Sequence, residues 1–157
     1  GDKNGIFTSS NEASSWSHKV TISFKSDDDM DIDDLFFVNE KLFGLGNDYW
    51  LNNDGTRDNF PVITVSDDGD KWVIYASSAL IYSITYISNN DDLTGPWIGA
   101  GEGGIFSSDT YYDWDLITPV NGNCWHIVSD THYENFVAQC SNNVYFTNGT
   151  LERIDEI

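Results

Sequence analysis

The densest cluster of side chains that could do chemistry in this sequence consists of aspartates. In the segment 26–34 four of them occupy alternate positions: Asp27, Asp29, Asp31 and Asp33. Alternate side chains of an extended segment lie on one face, so we expect four carboxylates together, the oxygen ligands that calcium prefers. The segment is therefore a candidate calcium site, and a solvated acidic loop is the alternative. No other cofactor is indicated, because the three histidines are scattered and no Cys-x-x-Cys motif suggests zinc.

The two cysteines are candidates for a disulfide. Cys124 and Cys140 would lie in the two strands of a hairpin, 124–129 and 135–141, centred on residue 132. Because both cysteines are equally far from that centre in sequence, antiparallel pairing places them opposite each other. A disulfide there would stabilise the fold by roughly 3 kcal/mol. Two buried thiols are the alternative.

Several aromatic side chains lie in or beside polar loops, where they could stack on sugar rings or contact a protein. These candidate ligand-binding residues are Tyr49, Trp50, Tyr111, Tyr112 and Tyr133. The alternative is that they cover the edges of sheets. An acidic surface rich in asparagine and tyrosine suits a neutral glycan or a basic protein rather than a polyanion.

The charge of the chain excludes several classes of partner. Its 157 residues include 26 Asp and Glu against seven Lys and Arg, which gives a formal net charge of −19. Such a chain repels nucleic acid and anionic membranes, and no apolar run approaches the roughly 20 residues of a membrane span. The glycine-rich segment 99–104 is predicted to be a turn, not a phosphate-binding loop. No nucleophile and base are placed together by any motif, so we expect no enzymatic activity.

Short strands must position these groups. The sequence lacks the apolar periodicity of helices, and turns of Asn, Asp, Gly and Ser separate segments rich in β-branched and aromatic residues. The predicted strands are 34–39, 41–46, 60–66, 71–76, 80–88, 124–129, 135–141 and 143–147. Without helical crossovers, antiparallel pairing is expected. The predicted fold class is all-β.

A repeated pattern organises these strands. In each copy an apolar strand ends in Ser or Thr, a polar turn follows, and a Trp opens the next strand. Three clear copies run from Ser9 to Trp16, from Ser66 to Trp72 and from Ser107 to Trp114, and a degenerate fourth starts at Thr147. Successive copies start 57, 41 and 40 residues apart, and about 40 residues form one four-stranded propeller blade. The chain would then hold about three and a half antiparallel blades, and a β-sandwich is the alternative.

The second copy, with the sequence SDDGDKW, resembles the Asp-box of sialidase-type β-propellers, as in phage tail and other surface-exposed propeller proteins. The resemblance implies a structural turn formed by Ser66, Asp68, Gly69 and Trp72, in which the carboxylate accepts backbone hydrogen bonds and the indole covers the turn. It implies a scaffold rather than an activity. Sialidases bind their substrate carboxylate with three arginines, and this chain has two in all.

These patterns predict that residues 1–157 form one propeller-like domain, part of a larger propeller or assembly. The predicted function is a non-enzymatic structural or binding module that is extracellular or on a virion surface. Its expected partners are other protein chains or the remaining blades of a larger protein, with a neutral glycan as a further candidate ligand. The alternatives are a fragment of a propeller glycoside hydrolase and a calcium-dependent lectin.

Overall fold

A computed structural model describes residues 5–9, 14–15, 17–21, 30–52, 54–87, 96–130, 135–141, 143–147 and 154–156. All regular secondary structure in these ranges is β-strand, and the strands pair antiparallel with their neighbours. The prediction of an all-β antiparallel fold is therefore confirmed. The chain divides into two compact units, Gly1–Ala76 and Ser77–Ile157.

The described part of the first unit contains six strands: β1 (Gly5–Thr8), β2 (Ser17–Thr21), β3 (Met30–Val38), β4 (Lys41–Leu51), β5 (Arg57–Ser66) and β6 (Val73–Ala76). Strand β1 pairs with β2, and the other four form a sheet in the order β3-β4-β5-β6. The turn between β3 and β4 holds Asn39 and Glu40 at φ of 47° and 60°. Positive φ at both positions is typical of a type I′ turn, whose twist matches that of the flanking strands.

The alternation of side chains along β4 and β5 accounts for one buried face of the β3–β6 sheet. Phe43 pairs with Val65 and Leu45 pairs with Ile63, so all four side chains lie on the same face. All four are buried. A slip of one residue would turn this apolar set to the other face, and the alternating pattern therefore specifies the register.

The described part of the second unit also contains six strands: β7 (Ile81–Tyr86), β8 (Trp97–Ser108), β9 (Asp115–Asp130), β10 (Asn135–Cys140), β11 (Val144–Thr147) and β12 (Ile154–Glu156). Neighbouring strands pair in the order β12-β11-β10-β9-β8-β7. Strand β9 changes partner along its length, because it pairs with β8 up to Asn123 and with β10 from Cys124 onward.

A hydrophobic core lies where β9 changes partner. Its buried residues come from β8, β9, β10 and the end of β7: Ile87, Ile98, Ala100, Ile105, Cys124, Ile127, Phe136, Ala138 and Cys140. Four partly buried residues pack against them: Ile117, Val120, Tyr145 and Ile154. The long strand β9 therefore joins two sets of strands around one core.

The prediction that residues 99–104 form a turn is wrong, because they lie within β8. A Cβ on Gly99 would press against the side chains of Ile81 and Trp114, and a Cβ on Gly101 would meet the carbonyl oxygen of Leu80. These glycines permit close approach of neighbouring groups. They are required by packing and not by a reversal of the chain.

The described strands do not form a closed propeller. The β3–β6 sheet is a separate four-stranded meander, whereas β7 to β12 pair continuously through the shared strands β8 and β9. The all-β antiparallel class is thus established. The division into about three and a half blades stays a prediction.

Candidate functional site

The predicted calcium site falls largely outside the described residues. Asp27 and Asp29 lie outside them, and only the backbone of Asp31 is described. Asp33 is the extra residue of a β-bulge in β3, where it is exposed and accepts a hydrogen bond of 3.2 Å from Asn47 Nδ2. Within the described ranges, no group of three or more His, Cys, Asp or Glu residues could hold a metal ion. The four-aspartate site stays a prediction.

Two of the predicted ligand-binding tyrosines belong to a chain of aromatic contacts. Tyr111 and Tyr112 lie between β8 and β9, and their rings meet edge to face with 5.7 Å between centroids. Tyr111 also meets the buried Trp97 edge to face at 5.6 Å. These contacts do not distinguish ligand binding from the covering of a sheet edge, so the ligand-binding role of the two tyrosines stays a prediction. The side chains of the other three predicted residues lie outside the described part of the chain: Tyr49, Trp50 and Tyr133.

The turn between β5 and β6 satisfies its polar atoms internally. Ser66 Oγ accepts a hydrogen bond of 2.8 Å from the Gly69 N–H. Asp68 Oδ1 accepts bonds of 2.8 and 3.0 Å from the backbone N–H groups of the two residues that follow Gly69. Trp72 Nε1 donates to the Gly69 carbonyl oxygen at 3.1 Å. The backbone N–H of Lys71 makes the largest contribution to lowering the pKa of the Asp68 carboxyl, and the N–H of the preceding residue makes the second largest. These groups bond within the turn.

A disulfide joins Cys124 of β9 to Cys140 of β10. The register set by Asn135 opposite Asp130 would place Cys140 opposite Trp125, but a β-bulge shifts it by one residue so that the two cysteines face each other. Trp125 becomes the extra residue of the bulge. The bulge thus aligns two buried cysteines and leaves 45% of Trp125 exposed.

Tyr82 is likewise the extra residue of a bulge, where the pairing of β7 with β8 shifts between Ile81 and Ser83. Its ring stacks on the ring of Trp125, with 4.7 Å between ring centroids and an interplanar angle of 29°. Bulges change the direction of side chains, and these two bring together rings from strands that do not pair with each other. Tyr82 and Trp125 are called the aromatic pair below.

Hydroxyl side chains connect β7 to β9 next to the aromatic pair. The Ile127 N–H donates to Ser83 Oγ at 3.2 Å, and the same hydroxyl donates to the Ile127 carbonyl oxygen at 3.5 Å. Two residues further along each strand, the hydroxyls of Thr85 and Ser129 are 2.6 Å apart. Ser83 and Thr85 are buried. These bonds hold the two strands that carry the aromatic pair in one relative position.

One polar side chain contacts the aromatic pair, and a second is paired with it across two strands. Asn123 Nδ2 is 3.5 Å from the Tyr82 hydroxyl. Glu102 of β8 pairs directly with Asn123, so its exposed side chain lies on the same side of the strands. The backbone of Asn123 is held by Ser141, which accepts from its N–H at 2.9 Å and donates its own N–H to the Asn123 carbonyl at 2.8 Å.

The aromatic pair with Asn123 and Glu102 is the candidate functional site. The outer face of the adjoining β9–β10 pair carries one exposed apolar pair, because Val128 and Val137 are directly paired and are 66% and 46% exposed. The site combines an exposed indole, a hydrogen-bond donor and a carboxylate. Such a combination can recognise a ligand through stacking and through a few directed hydrogen bonds.

Sequence reasoning did not identify this site. Both aromatic residues lie inside predicted strands, 80–88 and 124–129, where regular alternation treats them as ordinary strand residues. A one-residue bulge has no fixed sequence pattern, and each of these bulges depends on contacts with a neighbouring strand. The single signal in the sequence is that Trp125 follows a cysteine that can pair across the hairpin.

No protein-family model matches this chain, and none of the curated proteins matches it. The described residues include no helical segment with the length and hydrophobicity of a membrane span.

Proposed function

We propose that this chain is a non-enzymatic structural and binding module, located outside the cell or on a virion surface. It is built from propeller-type antiparallel hairpins and is completed by other protein chains or by the remaining blades of a larger protein. The observation that carries this proposal is the β3–β6 meander with its internally bonded turn. Four antiparallel strands in sequence order are the content of one propeller blade.

The hydrogen bonds of the aspartates support a scaffold role. Asp54 Oδ1 accepts bonds of 2.9 and 2.6 Å from the N–H and the hydroxyl of Thr56, and these bonds lower the pKa of its carboxyl, the hydroxyl more than the N–H. Asp67 pairs with Lys41 next to the β5–β6 turn. Carboxylates that bond backbone groups in tight turns fix hairpins. Some of the acidic side chains therefore stabilise turns of the fold.

The native mass of the purified chain tests this proposal. Because an isolated arc of blades leaves strand edges and sheet faces uncovered, we expect a defined species larger than the 17.7 kDa monomer. Light scattering coupled to gel filtration gives the mass, first with 2 mM calcium and then with EDTA. A stable monomer in both conditions would contradict completion by other chains.

A parallel assay separates the proposal from its alternatives. The chain is incubated with neutral polysaccharides, and released reducing sugar is measured. We expect no release, whereas turnover would favour a fragment of a propeller glycoside hydrolase. Saccharide binding that is lost in EDTA would favour a calcium-dependent lectin. The saccharide affinity of the variant Asp33→Asn would then be compared with that of the control Asp115→Asn, which changes another exposed aspartate.

A further inference from the structure

We propose that the aromatic pair, together with Asn123 and Glu102, forms a binding site for a neutral saccharide. This inference rests on the proposed function, since it names the ligand class of a binding module. The site lies entirely in the second unit, on β7, β8 and β9. It uses none of the residues that the sequence indicated as ligand-binding.

The indole of Trp125 supplies a stacking surface. A sugar ring has faces lined by C–H groups, and these pack well against a flat aromatic ring. Tyr82 stacks on Trp125 while 45% of the tryptophan stays exposed. Because the stack already restricts the indole, a ligand that packs on it does not have to order a mobile side chain, which reduces the entropic cost of binding.

Asn123 and Glu102 supply directed hydrogen bonds. The amide of Asn123 carries both donors and an acceptor, and an ionised carboxylate is an acceptor only. A sugar hydroxyl can donate to the Glu102 carboxylate while a neighbouring hydroxyl accepts from the Asn123 amide. Their direct pairing in the β8–β9 register places both groups on one side of the strands, the side on which Asn123 reaches the Tyr82 hydroxyl.

The backbone around the site is fixed before a ligand arrives. Ser141 holds both backbone groups of Asn123, and the disulfide follows at the next residue, Cys124. On β7, the Ser83 hydroxyl bonds both the N–H and the carbonyl of Ile127. A site held on rigid strands loses little conformational freedom on binding.

Charge decides between neutral and anionic saccharides. A carboxylate in the site and a net charge of −19 over the chain repel sulfated, phosphorylated or sialylated glycans. A neutral hexose or N-acetylhexosamine carries no such penalty. The site is therefore expected to bind neutral oligosaccharides and to reject their anionic derivatives.

The test uses the full chain with defined soluble probes: lactose, cellotetraose, chitotetraose, mannotriose and 3′-sialyllactose. Saturation-transfer NMR detects binding, and calorimetry measures the affinity. We expect at least one neutral probe to bind, and sialyllactose to bind at least tenfold more weakly than lactose if lactose is the ligand. Binding of no neutral probe, or preference for the sialylated one, would overturn the proposal.

Variants assign the binding to this site. Trp125→Ala should lower the affinity at least tenfold, and Trp125→Phe should restore part of it because a stacking ring remains. Phe37→Ala is the matched control, since Phe37 is an exposed aromatic residue on β3, in the other unit. Glu102→Gln keeps the shape of the side chain and should weaken binding severalfold, so the proposal stays testable if Trp125→Ala does not fold. Unchanged saccharide affinity in both Trp125→Ala and Glu102→Gln would refute the proposal.

Sedimentation of the same samples separates this inference from the proposed function. If Trp125→Ala reduces the native mass while no saccharide binds, the surface is a contact between protein chains and the saccharide site is wrong, whereas the assembled module stands. If a neutral saccharide binds to a chain that is monomeric throughout, the saccharide site stands and completion by other chains is wrong.

Discussion

Asp68 is exposed, yet two backbone N–H groups of its own turn bond to its carboxylate. These bonds lower its pKa below the ordinary value of 3.8, so folding favours the ionised form. The resulting stabilisation is present above that ordinary value. It is lost as the pH falls through the lower pKa of the folded state, because the carboxyl is then protonated in both states.

Replacing Asp68 with Asn tests this electrostatic contribution. The amide keeps the shape and one acceptor oxygen but loses the charge, so we expect the melting temperature at pH 7 to fall by roughly 2–4 °C. The difference from the wild type should shrink at pH 3. Thermal unfolding followed by circular dichroism at both pH values measures it, with Asp115→Asn, an exposed carboxylate of β9, as the control. An equal loss at both pH values would show that charge is not the cause.

At the scale of elements, strand β9 joins the core, the disulfide and the candidate site. Its bulge lets Cys124 reach Cys140, and the same bulge carries Trp125 to the surface. The disulfide connects residues 16 apart in sequence. A cross-link of that span restricts the unfolded chain and stabilises the folded one by about 3 kcal/mol.

The double variant Cys124→Ala with Cys140→Ala should therefore lose about 3 kcal/mol of unfolding free energy. Urea denaturation of oxidised protein, with and without dithiothreitol, provides the measurement. Reduction should destabilise the wild type to a similar extent and leave the double variant unchanged. If dithiothreitol had no effect on the wild type, the cross-link would not contribute to stability. A weaker near-ultraviolet circular dichroism signal from the variant would further indicate that the aromatic pair is less ordered.

At the scale of the whole molecule, repulsion among acidic groups opposes folding. The net charge of −19 acts over the Debye length, which is about 30 Å at 0.01 M salt and about 10 Å at 0.1 M. Salt therefore screens much more repulsion than attraction in this chain, since only seven Lys and Arg are present. Low ionic strength should weaken both the fold and any assembly of copies.

We expect the melting temperature to rise by several degrees between 0.01 and 0.3 M sodium chloride, because self-repulsion destabilises a compact state. Differential scanning calorimetry measures the shift. Tetramethylammonium chloride at the same ionic strengths is the control that separates screening from specific binding of sodium. A melting temperature that stayed constant or fell with salt would contradict the argument.

The amino-acid pattern by itself was sufficient to locate eight of the twelve described strands and one turn. Each of the eight predicted strands overlaps an observed strand, because alternation and β-branched residues act locally. The bonds around Asp68 form among residues 66–72, so their pattern can be recognised in a short segment. The sequence also identified the two cysteines that the structure joins, although a bulge and not the predicted regular register places them opposite each other.

Only the tertiary structure decided strand β8 and the candidate site. The glycines of β8 resemble a turn in the sequence, but β8 pairs with β7 and β9, and Ile81, Trp114 and the Leu80 carbonyl approach too closely to leave room for larger side chains. The aromatic pair depends on two bulges in strands 43 residues apart at Tyr82 and Trp125. Local preferences determine which segments are extended. Register shifts are determined by packing between distant segments, and no short stretch of sequence contains that information.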